Sequence, residues 1–124
     1  MSQWIYIAAG AVLGAWSRFA VAQWAAQRFA GDFPWGTFLI NLLGSFILGF
    51  FLTLNLERGW FTPQARAFVA VGWCASFTTF STFSFETFRL ISEGRLLLAL
   101  GNIGLSVGVC LMGTWVGVAS GRLI

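Results

Sequence analysis

Apolar residues fill this 124-residue chain in four long runs separated by three short polar connectors. Uncharged runs cover Phe33 to Leu56, Ala67 to Phe85 and Leu96 to Gly121, and a first run from about Trp4 to Gln27 is interrupted only by Arg18. Each is long enough for a helix to cross the hydrocarbon core of a bilayer, which takes about 20 apolar residues. The pattern predicts an all-α membrane protein, a single domain over 1–124 with four transmembrane helices at about 4–27, 33–56, 64–91 and 96–121. The connectors Phe29 to Pro34, Glu57 to Pro63 and Ser92 to Arg95 each hold a glycine or proline that stops a helix. The first run lacks the basic start of a signal peptide and continues amphipathically beyond Arg18.

Polar positions inside the runs follow helical spacing. Thr37, Asn41 and Ser45 share one face of the second helix, and Asn102, Ser106 and Cys110 share one face of the fourth. The third run ends in FTTFSTFSFETF, residues 77–88, where rings and hydroxyls alternate ahead of a carboxylate. On a continuous helix Thr79, Thr82, Phe83 and Glu86 fall on one strip with Phe80 beside them. A phenyl ring is positive at its edge, so rings presented edge-on attract an anion without a formal charge. A lysine there would hold the anion too tightly for rapid passage. Upstream, Gly72 to Thr79 has few strong helix formers and several hydroxyls that compete for backbone bonds, which predicts a helix break near 75–79. Freed carbonyls at such a break are the usual ligands of sodium. Glycines four apart, Gly10 and Gly14, Gly104 and Gly108, then Gly113, Gly117 and Gly121, predict close helix approach.

Composition excludes other classes. With 58% hydrophobic and 9% charged residues and a mean hydropathy of +0.82, the chain cannot solvate a globular surface. It has no histidine and four acids, Asp32, Glu57, Glu86 and Glu93, so a histidine metal site or a Ser-His-Asp triad cannot be built, and no enzyme activity is expected. Cys74 and Cys110 lie inside apolar runs and read as small core residues.

Charge placement bears on orientation. Arg58, Arg66 and Arg122 fall on the side of the N-terminus and Arg28, Arg89 and Arg95 on the other, three against three, with Arg18 inside a span. The positive-inside rule therefore favours neither orientation. Two opposite copies could pair about an axis in the membrane plane.

GWCASFTTFSTF, with GAVLGAWSRF in the first helix and WGTFLINLLGSFILGF in the second, resembles the Fluc (CrcB) family of fluoride channels across all four helices in order. The resemblance implies an antiparallel dual-topology homodimer in the bacterial inner membrane, a multi-pass protein with two fluoride pathways and a structural sodium ion at the dimer centre. Its partners would be fluoride, a second copy and the bilayer, with no nucleic acid. Carried over by motif, Phe80 and Phe83 would line the pathways, Asn41 would face them, and Ser81 and Thr82 would belong to the hydroxyl track, which the helical stripes extend to Thr37 and Ser106. Arg18 would stand at a vestibule, Glu86 would end the track, and the backbone carbonyls of Ala75 and Thr78 would hold sodium. Family members commonly carry glycines where this chain has Ala75 and Ser76, and a Cβ there makes any positive φ costly. Cys110 stands where another hydroxyl is expected.

The competing reading is a small dual-topology, proton-coupled exporter of cationic compounds. That chemistry needs a carboxylate in the first span, and this chain has Arg18 there. A structural membrane subunit would need no polar track. The arginine tie predicts that reporter tags on the termini are found on both sides of the membrane in comparable amounts; a single orientation would contradict the antiparallel arrangement.

Overall fold

In the computed structural model, which describes residues 2–124, every regular element is a helix. α1 runs Gln3–Arg28 and α2 Trp35–Arg58. The third span comes in two pieces, α3 over residues 63–77 and α4 over Phe80–Ser92, and α5 covers Leu96–Leu123. Counting Pro63–Ser92 as one span, four helices are long and apolar enough to cross a membrane.

Local chemistry sets the helix ends. Ser2 caps α1 by accepting from the Trp4 amide at 3.4 Å, and Thr62 caps α3 by accepting from Ala65 at 3.2 Å, with Pro63 in the first turn. α4 stops in a paired closure: the Arg95 amide reaches the Leu90 carbonyl at 2.8 Å and the Gly94 amide reaches Ile91 at 3.0 Å. That closure puts Gly94 at φ 76, where a side chain would be strained.

α3 is the irregular element. After Pro63–Arg66 its turns widen to i→i+5 spacing over Ala67–Cys74, then return to α-helix over Ala75–Phe77. The widened stretch lies directly on α1. Gly10 and Gly14 touch the carbonyls of Phe68 and Trp73, and a Cβ on Gly72 would stand 2.6 Å from the Ile7 carbonyl oxygen. Glycines here let two backbones meet, the form of association open to helices when lipid supplies no hydrophobic drive.

The break is narrower than the composition of Gly72 to Thr79 suggests. Helix continues through Phe77, and only Thr78 (φ −77°, ψ 156°) and Thr79 (φ −152°, ψ 112°) are extended. Ala75, at φ −66° and ψ −29°, is ordinary helix, so the exchange of glycine for alanine there carries no backbone strain. The Thr78 amide keeps its ladder bond to the Cys74 carbonyl at 3.0 Å, and the hydroxyl that replaces a ladder bond is that of Thr79. Thr78 Oγ1 closes α3 by donating to the Cys74 carbonyl at 3.0 Å, and Thr79 Oγ1 caps α4 by accepting from the Thr82 amide at 3.2 Å.

α2 is the most buried span and carries the subunit. It packs lengthwise on α5 through a second glycine seam, where a Cβ on Gly49 would stand 2.7 Å from the Thr114 carbonyl oxygen and one on Gly113 2.8 Å from Leu42. Gly117 and Gly121 continue that seam against Phe46 and Thr53. Gly104 and Gly108, expected to approach another helix, have no neighbour within 4 Å in the subunit. They lie on the face of α5 that α2 leaves uncovered. At the membrane ends Arg122 pairs with Glu57 at 2.9 Å and Arg95 pairs with Asp32, joining α5 to α2 at one end and to the α1–α2 connector at the other. Both pairs are half-exposed and add little stability.

The two kinds of glycine separate by substitution. Gly14→Val forces a side chain into the Trp73 carbonyl and should destabilise the subunit by about 1–3 kcal/mol, read as a fall in the thermal midpoint in detergent. Gly104→Ala should leave the subunit's own packing intact. Equal midpoints for the two variants would contradict the close-approach account.

Candidate functional site

The polar stripes of α2 and α5 converge where the third span is broken. A groove of about 300 Å³ opens there, walled by Asn41 and Ser45 of α2, Thr79, Phe80 and Phe83 at the start of α4, and Ser106 of α5. The α5 stripe also places Cys110 on this wall, so a thiol occupies the position where a hydroxyl was expected. No arginine contributes to the wall. The Phe80 and Phe83 rings are 5.6 Å apart between centroids and inclined at 44°. Phe83 is half-buried, whereas Phe80 is 78% exposed, turned out of the subunit at the open side of the groove.

The break presents its polar groups to this groove in a fixed pattern. Asn41 Nδ2 donates to the Thr79 carbonyl at 3.0 Å, and Asn41 Oδ1 accepts from the Thr79 amide at 2.8 Å. Thr79 Oγ1 donates to Thr82 Oγ1 at 3.0 Å and lies 3.3 Å from Ser81 Oγ. Two amides are thereby diverted from the helical ladder. The Thr79 amide, which would otherwise close onto Ala75, goes to Asn41; the Thr82 amide, which would close onto Thr78, goes to Thr79 Oγ1. The Ala75 and Thr78 carbonyl oxygens thus lose their i+4 donors.

Thr37 and Glu86 meet directly, Thr37 Oγ1 donating to Glu86 Oε1, one turn beyond Asn41 on α2. α4 is tied to α5 by a buried chain: Ser106 Oγ donates to Asn102 Oδ1 at 3.2 Å, Asn102 Nδ2 to Thr87 Oγ1 at 2.9 Å, and Thr87 Oγ1 to the Phe83 carbonyl at 2.7 Å. Asn102 is 1% exposed, with both its Nδ2 and its Oδ1 hydrogen-bonded, which holds Phe83 against α5. Thr87 did not stand out in the sequence; the signal for it was Asn102 itself, a buried amide that needs an acceptor on a facing helix.

Other candidates lie apart from the groove. The single strip of Thr79, Thr82, Phe83 and Glu86 supposed a continuous helix, but Thr79 is extended, and Ser81 and Thr82 are exposed on the outer face of the first turn of α4. They reach the groove only through Thr79 Oγ1. Arg18 is half-buried on α1 and, among the described residues, has no carboxylate in ion-pair range. Its neighbour Ser17 accepts from Trp73 Nε1 at 3.2 Å, and Trp73 stacks on Phe77 at 4.8 Å, so this part of α1 braces the end of α3.

Sequence comparison supplies the family. The family described as CrcB-like protein, Camphor Resistance (CrcB), matches residues 5–118. This chain belongs to the CrcB family. Its CrcB relatives include a Methylocella silvestris protein, 46% identical over 116 residues, which span 92% of this chain and 88% of the relative. One from Geotalea uraniireducens is 41% identical over 114 residues, 92% of both chains, and one from Citrifermentans bemidjiense is 39% identical over 124 residues, the whole of both. All three bear the name fluoride-specific ion channel FluC. The CrcB match takes in the second and third spans whole, nearly all of the first and fourth, the break and every wall of the groove.

Proposed function

We propose that this CrcB-family protein is a passive fluoride channel through which cytoplasmic fluoride leaves the cell. The observation that carries the reading is the groove itself: two phenyl rings and uncharged hydrogen-bond donors on three helices, with no lysine or arginine on its wall. The names of the relatives point to the same anion. An anion entering such a groove exchanges water for ring edges and hydroxyls, contacts strong enough to admit it and weak enough to release it. The hydroxyl of Thr37 occupies Glu86 Oε1, which tempers an otherwise repulsive carboxylate at the end of the track.

The working unit in this proposal is an antiparallel homodimer with two pathways. Phe80, Phe85 and Phe88 are 78%, 68% and 66% exposed in one subunit, and a second copy would cover the part of that face which closes the groove. The family also implies a structural sodium ion, and the residues present fit one. The Ala75 and Thr78 carbonyls, released from the ladder, are neutral oxygen ligands of the kind a hard cation takes, and a two-fold partner would double them. Once bound, the ion would supply the positive charge that steadies carbonyls lacking amide donors.

Fluoride efflux from liposomes tests the reading. Phe80→Ile and Phe83→Ile keep apolar bulk but remove the positive ring edge, and each should slow efflux by about tenfold or more, equivalent to about 1.4 kcal/mol in the barrier. Phe88→Ile, off the groove, should conduct nearly as the parent does. Equal efflux from all three, with normal assembly, would remove the rings from the mechanism.

A further inference from the structure

We infer that Asn41 is a positioning residue, a latch that holds the third span broken at Thr79, in addition to any contact it makes with an anion. Its carboxamide bonds both the amide and the carbonyl of one residue, Thr79, at 2.8 and 3.0 Å. Such pairing requires an extended partner, because only extended backbone presents the N–H and C=O of one residue along the same edge, as paired strands do. Thr79, at φ −152° and ψ 112°, is in that conformation. The two bonds also fix the orientation of the carboxamide, since the Thr79 amide must donate and its carbonyl must accept. One N–H of Asn41 is left over, on a side chain that lines the groove.

The latch matters because little else binds the break to α2. Gly44, three residues along the same face, touches the Thr78 methyl and accepts from Cys74 Sγ at 3.4 Å, and Thr37 meets Glu86 a turn away. Of the α2 side chains, only Asn41 bonds the extended backbone, at Thr79. Without it the Thr79 amide is free to return to the Ala75 carbonyl and extend α3. That return would shift the first turn of α4, with Phe80 and Phe83 on it, and take back the oxygen offered to a cation. Asn41 therefore couples the cation ligands on one side of the break to the rings on the other. The cation half of this coupling rests on the sodium reading above.

Two variants divide the latch. Asn41→Leu has nearly the same shape and removes both bonds; Asn41→Asp keeps the acceptor for the Thr79 amide but sets a carboxylate against the Thr79 carbonyl. Parent and variants are compared in liposomes over a sodium titration, with a large organic cation keeping ionic strength constant, and Thr79 is followed by amide exchange and Cα chemical shift. In both variants the sodium concentration for half-maximal efflux should rise by about tenfold or more, and saturating sodium should restore part of the flux. Thr79 in Asn41→Leu should either exchange faster or move towards a helical shift. Flux lost equally at every sodium concentration, with Thr79 unchanged, would overturn the latch and leave Asn41 as an anion contact only. If the parent itself ignores sodium, the cation reading fails, and the response of Thr79 alone decides the latch.

Discussion

An interrupted helix inside a bilayer must find partners for the backbone groups it releases, because water is not there to take them. Each group left bare costs several kcal/mol in hydrocarbon, so irregular backbone survives at that depth only where protein or an aqueous cavity surrounds it. In this subunit the constraint falls on Thr78 and Thr79. Side chains meet part of it: Asn41 takes both polar groups of the Thr79 backbone, and Thr79 Oγ1 takes the Thr82 amide. The carbonyls of Ala75, Ser76, Phe77 and Thr78 and the amides of Phe80 and Ser81 are left without a backbone partner across the break. The groove, the placement of Phe80 and Phe83 and the proposed cation site all follow from how that account of hydrogen bonds is closed.

The surrounding architecture keeps the break in place. Glycine seams bring α1 onto the widened turns of α3 and α5 onto α2, making a close-packed frame of backbone against backbone. α4 joins this frame mainly through the buried chain from Phe83 and Thr87 to Asn102 and Ser106 and through Thr37 to Glu86. Its outer face carries three strongly exposed phenylalanines. A rigid frame holding a lightly attached half-helix suits the proposed pairing, in which a second copy completes its other side.

Much of this was legible in the amino-acid order because spans, connectors and polar stripes are local, periodic properties. Thr37, Asn41 and Ser45 had to share a face once that stretch was a helix, and Asn102, Ser106 and Cys110 likewise. The break was legible as a tendency but not in its extent. Hydroxyl content spread it over residues 75–79, whereas the structure confines it to two threonines, because the group that decides is Asn41, 38 residues away. Drawing Thr79, Thr82, Phe83 and Glu86 on one strip failed for the same reason: an extended residue breaks the helical phase. The widened turns of Ala67–Cys74 left no signal, since they answer to the fit against α1. Glycine spacing foretold close approach at Gly10, Gly14, Gly113, Gly117 and Gly121, but the same spacing at Gly104 and Gly108 meets nothing in the subunit.

The most direct test of a passive fluoride pathway is the reversal potential of current through the purified protein in a planar bilayer, under a tenfold gradient of sodium fluoride. A fluoride-selective channel reverses at about 59 mV, the value for one charge per tenfold ratio, and stays there when a proton gradient is imposed. A reversal potential that follows the proton gradient, or a membrane that carries no fluoride current, would contradict the account.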